Sequence, residues 1–249
     1  MILAVWGMSA CGKSMLADAL GRTMGEKGIA AVIDTNPCMP TLPLRIGGLR
    51  ASAEYSLGRY LTGIGSVETK DYYMQHPEHK GLFYSGLASN DTYLSYEVDL
   101  QSSQKAVEFL DRSAGFFNDI IIDCSVQRSD PFLGAMLERA DVILLPMIPN
   151  PTAVHWYNAI HDMLSNGRAL NRCIFVANMV RPIHLVGDVE GQMGIDFAVK
   201  LPYLRDAALL QDGGKFLLDS EAHNWRQWSK QFRLLRNVID EYAAGGGYE

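Results

Sequence analysis

Six short runs of nearly unbroken apolar residues punctuate the chain: "ILAVW" at 2–6, "AAVID" at 30–34, "GLFYSGLA" at 81–88, "DIIIDC" at 119–124, "DVILLPM" at 141–147 and "CIFVAN" at 173–178. Runs of this length without polar alternation predict strands buried on both faces, as in a parallel sheet covered by helices. Between them, helical patterning covers 14–27, 101–114, 131–139, 151–164 and 192–199. The alternation predicts an α/β fold in which helices cover both sides of a mostly parallel central sheet. No repeat, low-complexity tract or linker divides the chain, so one domain over 1–244 and a flexible tail at 245–249 are expected.

Two segments depart from this rhythm. Between the second and third strands, 41–79 holds "SAEYSLGRYLTG", which reads as one helix or two short ones, and the polar, aromatic "KDYYMQHPEHKG". A partner-facing insertion and a plain connecting helix both fit. His76 and His79 have a spacing loosely compatible with metal binding, but no second ligand cluster accompanies them, so a zinc site is not expected. Near the end, an amphipathic helix over 221–242 puts Trp225, Trp228, Phe232, Leu235, Ile239 and Tyr242 on one stripe, with Arg226, Lys230 and Arg233 elsewhere. Such a stripe packs onto the domain body or lies on an anionic membrane surface, and packing is the preferred reading.

Composition narrows the class. Across 249 residues, 48% are apolar and 20% charged, ordinary values for a globular protein with a sizeable core. The net charge of −6 argues against nucleic acid as a partner bound through bulk charge. Cys11, Cys38, Cys124 and Cys173 form no close pair and read as reduced thiols. With no secretory leader and no apolar run near the roughly 20 residues of a membrane span, a cytoplasmic location is expected, with at most peripheral contact at the inner membrane face.

The chemistry is concentrated in "GMSACGKSM", residues Gly7, Met8, Ser9, Ala10, Cys11, Gly12, Lys13, Ser14 and Met15. The spacing Gly-x4-Gly-Lys-Ser between a strand and a helix is that of a phosphate clamp. Glycines let backbone N–H groups turn toward phosphate oxygens, and the helix start adds positive potential. Lys13 would reach the β- and γ-phosphates and the Ser14 hydroxyl would ligate Mg²⁺. Cys11, inside the loop, reads as a filler of a small-residue position rather than an activated thiol. Asp34 and Asp123 end two strands where ligands of parallel sheets gather, and suit carboxylates on the metal side.

Together with "VIDTNP", "IIIDCS", "LLPMIPNP", "CIFVANMV" and "KLPYLRDAALLQDGGKFLLD", the clamp resembles the ParA/MinD-type P-loop ATPases along nearly the whole chain, with a TadZ/CpaE-like branch nearest. The resemblance implies a three-layer P-loop NTPase fold of the SIMIBI class, ATP or ADP with Mg²⁺ as cofactors, recognition of adenine at Asn178, and packing against adenine by the loop that holds Pro202. It also implies that Asp123, Ser14 and Asp34 stand on the metal side, that Asp34 and Asn36 are the acidic positions of a switch loop, and that Lys13, Asp34, Asn36 and Asp123 carry hydrolysis. Two departures stand out. The family's signature lysine, which reaches the partner subunit's phosphates, falls at Gly7 when counted back from Gly12-Lys13-Ser14, and Met8 and Ser9 replace the glycine pair after it. At the second switch position Asn36 offers a hydrogen bond but no negative charge. Arg128 offers a replacement positive charge or is a solvated surface residue. The leading expectation is a nucleotide-dependent homodimer that recruits a protein partner and hydrolyses ATP slowly. The alternatives are an ATP-binding scaffold with little turnover, and a small-molecule synthetase or kinase resembling dethiobiotin synthetase.

Overall fold

The computed structural model describes residues 1–36, 40–45, 54–63, 68–88, 91, 100–127, 130–166 and 169–245. An eight-stranded sheet runs β3-β4-β2-β5-β1-β6-β7-β8. Its strands are β1 (Ile2–Val5), β2 (Ala30–Asp34), β3 (Met74–Gln75), β4 (Leu82–Gly86), β5 (Asp119–Asp123), β6 (Val142–Met147), β7 (Cys173–Val180) and β8 (Val199–Pro202). All neighbours are parallel except β3, which pairs antiparallel with β4 at one edge. The helices are α1 (Lys13–Gly25), α2 (Leu42–Arg45), α3 (Leu57–Leu61), α4 (Leu100–Ser113), α5 (Pro131–Arg139), α6 (Pro151–Asn166), α7 (Val186–Met193), α8 (Ala207–Asp212) and α9 (Trp225–Ala243).

Each predicted strand is present within a residue or two, because a run buried on both faces has no other home. Alternate residues feed opposite layers. Leu3, Val5 and Val32 pack under α1 and α9, whereas Ala4, Ile33 and Ile122 pack under α4, α5 and α6. Both layers bury large side chains, among them Phe109 and Phe132 on one side and Trp228 on the other.

Two expectations fail. The helix over 192–199 is not formed: α7 begins earlier, at Val186, and stops where Gly194 takes the left-handed conformation with φ 65°. That glycine caps the helix, Phe197 is buried in the link that follows, and Val199 and Leu201 face the core from β8, with Lys200 exposed between them. β3 was not anticipated either, being two residues long on the polar edge of the sheet.

Within 41–79, α2, α3, a short 3₁₀ turn (Thr69–Tyr72) and β3 connect β2 to β4. Leu57, Tyr60, Leu61 and Tyr72 are buried, and Tyr60 meets Phe109 of α4 edge-on at 4.8 Å between ring centroids. The described part of this segment is thus packed onto the body. His76 has a local structural role: its Nδ1 accepts the backbone N–H groups of Glu78 and His79, which closes the turn into β4.

Helix α9 settles onto the layer of α1. Trp228, Phe232, Leu235 and Ile239 are buried there, with Trp228 and Phe232 stacked 4.9 Å apart. Leu234 is the one large apolar side chain of α9 that is more than one-third exposed. The stripe read from the sequence is therefore taken up by the domain itself. Pro37, Cys38 and Arg128 lie outside the described residues.

Candidate functional site: a phosphate clamp over an arginine-filled acidic floor

The clamp sits at the switch point of the sheet. β1 leads onward to β2 on one side of it, whereas the adjacent β6 leads to β7 on the other, and the reversal between β1 and β6 opens a crevice at the strands' carboxyl ends. The loop between β1 and α1 occupies that crevice. Gly12 adopts φ 80° and precedes the helix, and Ala10 is also left-handed at φ 58°, a conformation costing a residue with a β-carbon about 1 kcal/mol. Lys13 curls back over the loop, and its Nζ donates to the Met8 carbonyl at 3.0 Å. Ser14 and Met15 follow at the mouth of the adjoining cavity.

Two loop positions change the sequence reading. A β-carbon at Gly7 would come within 2.6 Å of the Pro146 carbonyl oxygen, so no side chain leaves the clamp there. The neighbouring Met8, partly exposed, stands at the front of the clamp. Cys11 is fully buried, and burial pushes its thiol up to about 11, as expected of a filler and not of a nucleophile.

The cavity next to the clamp has a volume of about 340 Å³ and is walled by Gly12, Ser14, Asn178, Pro202, Tyr203 and Leu217, among others. Asn178 reaches it through an irregularity in the pairing of β7 with β8, where Met179 turns left-handed at φ 55°. Bulges of this kind re-aim side chains beside sites. The Asn178 amide nitrogen donates to the Cys11 carbonyl at 2.8 Å, so this residue also braces the clamp. Arg181 lies over the Tyr203 ring, 4.1 Å from its centre, and stiffens the loop after Pro202.

Beneath Ser14 lies the most charged interior region among the described residues. Register pairs Asp34 with Asp123 side by side on β2 and β5. Asp18, one turn into α1, is buried beside them. Arg45 of α2 enters this group and is itself buried. Its Nε and Nη2 make a fork with Asp18 at 3.1 and 2.7 Å, Nη1 meets Asp123 at 2.5 Å and stands 3.5 Å from Asp34, and Nη2 also donates to the Ser14 carbonyl at 3.1 Å. Burial raises the pKa of Asp18 and of Asp34, and Arg45 pulls both back. For Arg45, burial works against the charge and is outweighed by the three carboxylates, leaving its pKa well above the ordinary value.

Asp34 further accepts the Thr41 hydroxyl at 2.7 Å and the Asn36 backbone N–H at 3.1 Å. Asn36 thus stands where the chain leaves β2. A further buried acid, Asp130, caps α5 and binds the Thr35 hydroxyl and the Ser125 N–H, linking the exits of β2 and β5. Neither Asp18, Arg45 nor Asp130 was anticipated. Asp18 carried a faint signal, since a carboxylate interrupts the inner face of α1 at "LADAL".

As donors for a hard dication, the Ser14 hydroxyl and the carboxylates of Asp34 and Asp123 suit Mg²⁺ in kind, being oxygen throughout. Three carboxylates facing one guanidinium also leave two negative charges uncompensated when all are ionised. The same carboxylates are already partners of Arg45, so a cation here must share them.

No family model matches the sequence, and no curated protein does. Solved structures do match. MinD of Pyrococcus horikoshii OT3, a septum site-determining protein complexed with Mg-ADP, superposes with a TM-score of 0.77 at 16% identity, covering 100% of this chain and 98% of that one. A chain of the MinC:MinD cell division complex of Aquifex aeolicus gives 0.73 at 14% identity, covering 96% of each. A ParA family ATPase from Chlorobium tepidum TLS gives 0.72 at 12%, covering 97% and 96%. The fold of this chain is that of the MinD and ParA P-loop ATPases.

Proposed function

We propose that this chain is an ATP-binding switch of the ParA/MinD kind, whose nucleotide-bound form pairs with a second copy and recruits or positions a protein partner. The observation that carries the reading is the continuity of clamp and cavity. Backbone N–H groups of the loop, Lys13 and the start of α1 converge at one end, and a half-open cavity bounded by Asn178 and Pro202 lies at the other. That arrangement accommodates a triphosphate and a base in one stroke. Mg-ADP in the Pyrococcus MinD structure, and a protein complex in the Aquifex one, support the choice of cofactor and of partner class.

In this reading Lys13 leaves the Met8 carbonyl to meet the β- and γ-phosphates, while the N–H groups from Ala10 to Ser14 hold the phosphate oxygens. Bound with the nucleotide, Mg²⁺ supplies positive charge to those oxygens. Asp123 and Asp34 are on the metal side, and Asn36 orients water without supplying charge, so turnover is slow. The output is a changed surface rather than a chemical product.

Light scattering on the purified chain, alone, with Mg-ADP and with Mg-ATP, tests the reading. The expected result is dimer mass with Mg-ATP only, and monomer mass for Lys13→Ala in every condition. An unchanged mass across all three conditions, with nucleotide binding measured separately, would refute the nucleotide-gated pair.

A further inference from the structure

Arg45 has no role in the function proposed above, yet it makes the densest set of polar contacts near the clamp. Its guanidinium spans three carboxylates from three elements, Asp18 of α1, Asp34 of β2 and Asp123 of β5, and also bonds the backbone at Ser14. Here two of the three are the acids that a phosphate-bound dication would use, and the backbone contact lies at the residue whose hydroxyl would ligate it.

We infer that Arg45 is an internal counter-ion that competes with a divalent cation for Asp34 and Asp123, and so sets how strongly nucleotide affinity depends on Mg²⁺. The inference rests on the reading of the clamp as a nucleotide site. Its physical basis is electrostatic. A fixed guanidinium 2.5 Å from Asp123 has already satisfied that carboxylate with a charge-assisted hydrogen bond. A cation entering beside Ser14 finds Asp123 partly neutralised, and any closer approach sets two positive charges against each other in a buried setting where screening is weak. Arg45 cannot relieve the conflict by losing its proton, since guanidinium stays charged in proteins. Leaving would break the fork to Asp18 and leave that buried carboxylate with only the long contact from the Tyr84 hydroxyl at 3.4 Å. Arg45 therefore stays, and the metal's share of binding energy is reduced. By reciprocity, a metal that adds little to nucleotide affinity gains little from the nucleotide.

The test is a fluorescence titration of the full chain with N-methylanthraniloyl-ATP, in excess EDTA and in saturating Mg²⁺. The native chain is expected to change affinity by less than about threefold between the two conditions, and Arg45→Gln to bind at least about tenfold more tightly with Mg²⁺ than without. Where Arg45→Gln does not fold, Arg45→Lys serves. It keeps the charge but loses the planar fork, frees one carboxylate, and is expected to fall between the two. A native chain that gains about tenfold or more from Mg²⁺ overturns the inference, as does a folded variant that gains no more than the native chain. Binding with strong Mg²⁺ dependence refutes the role of Arg45 alone. Failure of the native chain to bind the analogue in either condition refutes the nucleotide clamp, and the role of Arg45 with it.

Discussion

Replacing Asp130 with asparagine isolates one buried charge. Asp130 is 3% exposed, and its Oδ1 caps α5 by accepting the Phe132 N–H at 2.9 Å, while Oδ2 accepts the Ser125 N–H and the Thr35 hydroxyl. Burial lifts its pKa to about 7 against the partial relief of those three donors, with Asp34 adding to the rise. A carboxyl whose pKa is raised on folding stabilises the fold fully below its unfolded value of about 3.9, and that contribution is lost as pH climbs through the folded value. Roughly three pH units at about 1.36 kcal/mol each give a loss near 4 kcal/mol, of which about 2 kcal/mol falls between about pH 5 and pH 7. Asparagine keeps the Oδ1 acceptor, is itself a good cap, and resembles the protonated acid in offering a donor toward Thr35. Urea unfolding of native chain and variant in parallel cancels the titration of Asp18, and leaves that of Asp34 altered only by its coupling to Asp130. The stability of the native chain relative to Asp130→Asn should fall by about 3 kcal/mol from about pH 5 to about pH 8 and level off above neutrality. A difference constant within about 0.5 kcal/mol over that span would refute a buried, late-titrating Asp130.

Two further outcomes follow from packing and burial. Trp228→Ala removes a fully buried indole stacked on Phe232, so urea unfolding should show a loss of about 3–5 kcal/mol; a loss below about 1 kcal/mol would mean that the stripe of α9 is not held by the domain. With its pKa near 11, Cys11 has about one thiolate per thousand molecules at pH 8, so iodoacetamide should label its peptide at least about 100-fold more slowly in the native chain than in urea. Labelling of Cys11 at equal rates, read by peptide mass spectrometry, would count against the buried filler.

The sequence made the sheet legible because its strands are covered on both faces. Such strands announce themselves by composition alone, and β2 and α5 have the bounds read from the pattern. Legibility failed where one residue overrides the pattern. Gly194 ends α7 and hands "DFAVKLP" to an edge strand, although the apolar spacing of 192–199 also suits a helix. β3 escaped because two residues carry no period. The stripe of α9 showed which residues would be buried, and periodicity cannot say against what.

The site divides along the same line. The clamp is local: its spacing, its glycines and the helix that follows are contiguous, so its chemistry is written in one stretch. The acidic floor is not local. Asp18, Asp34, Arg45 and Asp123 are spread over more than a hundred residues and meet only because β2 and β5 are neighbours in the sheet and Arg45 at the end of α2 reaches Asp18 of α1. No motif marks Arg45, which sits in "LPLRIGG" beside prolines and glycines that read as a loop. Its significance is electrostatic rather than sequential. Three acids at the carboxyl ends and flank of a parallel sheet would repel one another without a cation between them. The acids seen from the sequence suggested that the cation was a metal, and the structure supplies one from the chain itself. The chain thus pairs a clamp of ordinary spacing with an acidic floor that is partly neutralised before any ligand arrives. That combination ties Mg²⁺ dependence to a single side chain, which makes Arg45 the most informative position to replace.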